Sequence, residues 1–80
     1  MAGGVDKQQR PLTPAQQAAL RYRHALVELR QGRAAHGETL LRQALQRDPD
    51  YVAARDVLAG VLLRAGRLVE AGEVLREGLR

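Results

Sequence analysis

The sequence predicts an all-α chain built from two tandem antiparallel helix-turn-helix hairpins, four helices in all. Three observations lead there. Ala, Leu, Arg, Glu and Gln, the strong helix formers, dominate the 80 residues. Apolar residues recur at helical spacing in four successive segments. The turn Gln31-Gly32-Arg33 is echoed further along the chain by Ala65-Gly66-Arg67, so the helices flanking it should repeat as well.

Residues 1–12 are rich in Gly, Gln and Pro without apolar periodicity, and read as a disordered lead to a domain over 13–80. Thr13-Pro14-Ala15-Gln16 is a helix start: Thr13 caps free N–H groups, Pro14 suits the first helical position and Gln16 completes a capping box. The first helix should run from about Pro14 to Arg30, with Ala18, Tyr22, Ala25, Leu26 and Leu29 as its apolar stripe. Gly32 ends it, because glycine takes the left-handed position after a helix without strain. The second helix, from about Ala34 to Arg47, carries Gly37, Leu40, Leu41, Ala44 and Leu45 on one face. Pro49 stops it, and Asp48 reads as the cap of a third helix from about Pro49 to Ala65, with Asp50 a favourable charge in its first turn. That helix should bury Ala54, Val57, Leu58, Val61 and Leu62. A fourth follows from about Leu68 to the end, with Leu68, Ala71, Val74, Leu75 and Leu79 apolar. Connections this short force neighbouring helices antiparallel.

Residues 52–80 laid over 18–46 give 11 identities in 29 positions without a gap, among them Ala25/Ala59, Gly32/Gly66, Arg33/Arg67 and Leu41/Leu75. A helix-turn-helix unit that recurs with a period of about 34 residues resembles the tetratricopeptide repeat. Leu58-Ala59, Leu62, Ala71 and Leu75 stand at the family's pattern positions in the second unit, and Ala25, Gly32, Leu41, Ala44 and Pro49 in the first. The resemblance implies repeat one over about 18–51, repeat two over about 52–80, and stacking as a short right-handed α-solenoid. Arg21, His24 and Glu28 occupy places that usually face the partner helix, while the apolar residues have moved to Tyr22, Leu26 and Leu29. Two readings follow: either the first helix is turned so that this stripe packs inward, or the family's concave groove is apolar here and binds an apolar or helical segment. The groove positions implied by the resemblance are Ala19, Tyr22, Leu26, Leu29 and Arg30, with Ala53, Asp56, Gly60, Leu63 and Arg64 one repeat on. Of these, Tyr22, Leu26, Leu29, Arg30, Asp56, Gly60, Leu63 and Arg64 form the expected peptide site. Family members that bind chaperones clamp a C-terminal carboxylate with Lys and Asn at several of these places. Tyr22, Leu26, Asp56 and Gly60 stand there instead, so such a clamp is not expected. Gly37 and Gly78 fall where repeats are expected to cross closely, whereas Gly60 and Gly72 have no evident packing reason.

Other function classes find little support. The chain has no Ser, Cys or Asn to supply a nucleophile or a disulfide. Its carboxylates read as solvated neighbours of arginines along single helices, such as Glu73 with Arg76 and Glu77 with Arg80. No enzyme and no cofactor are expected. His24 and His36 lie on different helices of one hairpin with no evident third ligand, so no metal site is expected either. The net charge is +4, but the arginines go round every face, and only Tyr22 and Tyr51 could stack on bases. Nucleic acid is therefore not the expected partner, although a basic nucleic-acid-binding scaffold is the main rival reading. The longest apolar run, Val57 to Leu63, is far shorter than the roughly 20 residues a membrane span needs. The N-terminus lacks the apolar stretch of a secretory signal, and both ends read as those of a segment from a longer chain. The expectation is a cytoplasmic module, or a periplasmic one where it belongs to an exported or anchored chain, that binds a protein or peptide within a larger assembly. An uncovered face on the fourth helix, at Val74, Leu75 or Leu79, adds self-association as a further reading. The Gln-Gly-Arg and Asp-Pro turns in an Arg/Leu/Ala-rich chain resemble bacterial members of the family, including repeat segments of pilus-assembly proteins.

Overall fold

The structure, a computed structural model, describes residues 10–79. Most of the predicted lead, residues 1–9, and Arg80 with its expected Glu77 pairing lie outside them. Four helices follow in order: α1 (Pro14–Arg30), α2 (Ala34–Arg47), α3 (Val52–Arg64) and α4 (Leu68–Glu77), with no strand among the described residues. α1 packs on α2, α2 on α3 and α3 on α4. The two hairpins thus stack through α2 and α3 as a short α-solenoid.

The capping box at the start of α1 is complete. Thr13 Oγ1 accepts from the Gln16 N–H at 3.1 Å, and Gln16 Oε1 accepts from the Thr13 N–H at 2.9 Å. Both hairpins then close on the same turn. Gly32 and Gly66 have φ of 80° and 76°, the region L side chains avoid. The Gly32 N–H donates to Leu29 O and the Arg33 N–H to Glu28 O; the Gly66 N–H donates to Leu63 O and the Arg67 N–H to Leu62 O. These paired bonds are a Schellman motif used twice, and each satisfies carbonyls that the helix end would leave open.

The connection between the hairpins departs from expectation. α3 begins at Val52, three residues later than Pro49, and Asp48 closes α2 rather than capping α3. The Asp48 carboxylate accepts from the Asp50 N–H at 3.1 Å, and Asp48 O from the Tyr51 N–H at 3.1 Å. An Asp side chain that bonds its own backbone two residues on favours a turn over a helical start, with Pro49 at the turn's second position. Asp50 consequently sits outside the first turn of α3. Arg55 braces this corner, donating to the carbonyls of Pro49 and Val74.

Leu41, Leu58 and Leu62 are the largest fully buried side chains, and Ala18, Ala25, Leu40, Ala44, Ala54, Ala59, Val61, Ala71 and Val74 complete the core. Burial of each such leucine is worth about 1.5–3 kcal/mol. The close crossings lie within hairpins, not between repeats as expected: a Cβ on Gly37 would come 2.7 Å from Leu29 Cδ2, and one on Gly78 would run into the Arg55 side chain. α4 is covered on one side only. Ala71 and Val74 are buried, while Leu68, Val69 (74% exposed), Leu75 and Leu79 (86%) face outward. Exposure was expected for Val74 too; it turns in against α3.

Ionic contacts reinforce the stacking between repeats. Arg67, in the second turn, donates to Glu38 of α2 at 2.6 and 3.0 Å and to Glu70 at 2.7 and 2.6 Å. Arg42 bonds Glu38 at 3.0 Å and Glu70 at 3.3 Å. The Arg67–Glu38 and Arg42–Glu70 pairs join α2 to the second turn and α4, whereas the expected Glu73–Arg76 pair within α4 does not form. The Arg67 hydrogen bonds hold the Glu38 and Glu70 carboxyls below their ordinary value of 4.5.

Two outcomes follow for stability. Gly32→Ala and Gly66→Ala add a side chain into open space, so the cost of each is the strain of holding an L residue at positive φ, roughly 1–2 kcal/mol in urea unfolding. Because the folded-state values of Glu38 and Glu70 are depressed, their contribution is complete above about 4.5 and is lost as pH falls through the lower folded values. Tm should drop as the pH is taken below about 4.5. Glu38→Gln should flatten that drop and lower Tm at neutral pH by only a few degrees, since solvent screens these pairs.

A candidate peptide groove and a histidine–glutamate cluster

α1 and α3 occupy the same place in successive repeats, and a cleft of about 260 Å³ lies where they face each other. Leu29, Asp56, Val57, Gly60, Val61 and Arg64 line it. Four of the expected site residues, Leu29, Asp56, Gly60 and Arg64, therefore come together. No heavy atom beyond its own helix backbone lies within 4 Å of a Cβ built on Gly60, so its missing side chain is what leaves the cleft floor open.

The other four lie elsewhere. The Tyr22 ring packs on Tyr51 with centroids 5.1 Å apart and planes tilted by 44°, closing the seam between α1 and the hairpin connection. Leu26 is half-buried and outside the cleft, and Leu63 is exposed on the α3 surface. Arg30 and Arg64 are exposed at the ends of α1 and α3, and neither forms an ion pair among the described residues. Asp56 is likewise exposed and unpaired among them. One cation, Arg64, and one anion, Asp56, thus line the apolar cleft, and Arg30 stands outside it.

The orientation of α1 falls between the two readings open from sequence. Ala18, Ala25 and Glu28 are its buried residues, while Tyr22 and Leu29 are half-buried against the core. Only part of the displaced stripe packs inward, and a glutamate takes a core position.

Glu28 is 6% exposed and has three basic neighbours. His36 Nδ1 lies 2.6 Å from Oε1, His24 Nε2 lies 4.0 Å from Oε2, and Arg33 donates to both oxygens at 3.4 and 3.2 Å. The His36 hydrogen bond, joined by those of Arg33, holds the Glu28 carboxyl below its ordinary value against the opposing effect of burial. The two imidazole rings meet edge to face, centroids 5.4 Å apart. The expectation that no third group accompanies the histidines therefore fails. The missed signal was symmetry about the turn: Glu28 and His36 each stand four residues from Gly32, and an antiparallel hairpin brings such positions face to face. Sequence reading also missed a larger recess of about 580 Å³ at the other end of the second hairpin, bordered by Val52, Arg55, Leu75 and Leu79.

No helix among the described residues is long and apolar enough to cross a membrane. No curated protein and no solved structure matches the chain. A family description does: the tetratricopeptide repeat matches residues 28–80, from the end of α1 through both turns. With the repeated hairpin, the paired glycine turns and this match over well more than half of its length, the chain belongs to the tetratricopeptide repeat family.

Proposed function

We propose that this chain is a non-enzymatic binding module that holds a peptide or helix of a partner protein in the groove between α1 and α3, as one part of a larger assembly. Tetratricopeptide repeats are generally protein–protein interaction modules and are typically non-catalytic. The observation that carries the finer reading is the pair of exposed guanidiniums Arg30 and Arg64, one repeat apart and without an ion pair among the described residues, with the Leu29–Val57–Gly60 cleft beside Arg64. Guanidinium forks bind carboxylates in two-point fashion, and the apolar cleft beside Arg64 gives a partner helix or strand something to bury. The fitting ligand is a segment with apolar side chains flanked by acids. Leu63 and Leu26 extend the apolar border, and Tyr22 supports α1 from behind.

A second reading rests on the outward face of α4. Leu68, Val69, Leu75 and Leu79 form an apolar surface that a further helix of the assembly, or a second copy of the chain, would cover.

The groove reading is tested by capture of native protein partners, identified by mass spectrometry, on the chain and two variants. Arg30→Glu/Arg64→Glu should lose the retained partner at least tenfold. Gly60→Ala should raise stability by up to about 1 kcal/mol through helix propensity while weakening capture, because its methyl fills the cleft floor. Unchanged capture by both variants contradicts the groove. Capture should also tolerate salt, whereas affinity for nucleic acid that falls steeply with salt supports the rival basic scaffold. For the α4 face, light scattering over a range of concentrations should show association. A strict monomer with no dye-accessible apolar surface contradicts it.

A further inference from the structure

We propose that His24, Glu28 and His36 form a binding site for one divalent transition-metal ion of the zinc class, which ties α1 to α2 across the first hairpin. The three residues offer two imidazole nitrogens and a carboxylate oxygen whose ligand atoms all lie within 4.8 Å of one another. Bonds of about 2.0–2.2 Å to one tetrahedral ion place ligand atoms roughly 3.4 Å apart, so shifts on the order of 1 Å complete the set. Two neutral imidazoles beside one carboxylate suit Zn²⁺, Co²⁺, Ni²⁺ or Cu²⁺ and exclude a preference for Ca²⁺ or Mg²⁺, which take oxygen donors.

The comparison between repeats sharpens the assignment. The positions equivalent to His24 and Glu28 in the second repeat are Leu58 and Leu62, which are 1% and 0% exposed in the core. The fold therefore accepts leucine at these places, yet the first unit has a histidine and a nearly buried glutamate there. Position 36 likewise corresponds to Glu70, which turns to Arg67 instead. Replacing core leucines with an acid–imidazole cluster sacrifices apolar burial, and such a departure marks a functional site more often than a packing solution.

The route to the bound form is short. His36 Nδ1 and Glu28 Oε1 now lie within hydrogen-bond distance, at 2.6 Å. The ion takes that hydrogen bond's place: Nδ1 and the carboxylate become ligands, and the neutral imidazole carries its single proton on Nε2, exchanged through solvent. His24, four residues before Glu28 on α1, swings Nε2 in from 4.0 Å. Both histidine side chains are about half exposed, at 54% and 52%, so the ion can enter directly and keep water in its fourth position. Arg33 retains its 2.7 Å bond to Gln31 and one bond to the carboxylate, orienting it from outside the ligand set.

The test is titration of the full chain, free of any affinity tag, with Zn²⁺ by calorimetry and with Co²⁺ by visible absorption. The expected result is saturable 1:1 binding, a tetrahedral Co²⁺ spectrum, shifts of both imidazole resonances, and a Zn²⁺-dependent rise in Tm. His24→Ala and His36→Ala, each at an exposed side chain, should fold as judged by circular dichroism. Each should weaken binding by more than the roughly 10–100-fold typical of losing an outer partner. Mg²⁺ should produce none of these effects. Absence of 1:1 binding, or binding unchanged in either folded variant, overturns the site and leaves a hydrogen-bonded cluster only.

Discussion

Each helical pair in this chain must reverse within three residues, and the left-handed glycine at Gly32 and Gly66 is the constraint on which the rest depends. A positive φ at that point lets two backbone N–H groups turn back to the last carbonyls of the preceding helix. The reversal then sets which faces of the two helices meet. Because the same reversal recurs one repeat later, the small residues Ala25 and Ala59 recur at the same crossings, and the second hairpin presents to the first the surface needed for stacking. Leu41, Leu58 and Leu62 are buried as a consequence of that stacking.

On this common backbone the two units have diverged where chemistry is concentrated. Arg33 and Arg67 occupy equivalent turn positions, but each follows the acids within reach. Arg33 finds Glu28 of its own hairpin. Arg67, whose corresponding neighbour is the buried Leu62, reaches back to Glu38 of the first unit and forward to Glu70. One turn residue thus closes a hairpin in the first repeat and joins two repeats in the second. Coulomb attraction at partly exposed sites adds modest stability, but the geometry fixes the register between α2 and the second turn.

Much of the fold is legible in the sequence because its determinants are local. Thr13 with Gln16 announces the start of α1, and the glycine turns announce the ends of α1 and α3. The start of α3 is not legible in the same way, because an aspartate before a proline serves equally as a helix cap or as the acceptor of its own turn, and Asp48 does the latter. The groove is legible in part. Leu29, Asp56, Gly60 and Arg64 converge because equivalent helices of stacked repeats face each other, whereas Tyr22 is drawn off by Tyr51, whose place depends on that same turn. The Glu38–Arg67–Glu70 contacts and the His24–Glu28–His36 cluster depend on the register between helices, which neither residue type nor spacing along one helix reveals.

The claim beneath all of this is that two copies of one hairpin fold as a single stacked body through α2 and α3. Native-state hydrogen exchange, followed amide by amide in rising urea, tests it most directly. The account predicts that the most protected amides lie in α2 and α3 and open together, with α4, covered on one side only, exchanging sooner. Amides of α2 and α3 that open at separate free energies, each with its own hairpin partner, would contradict it.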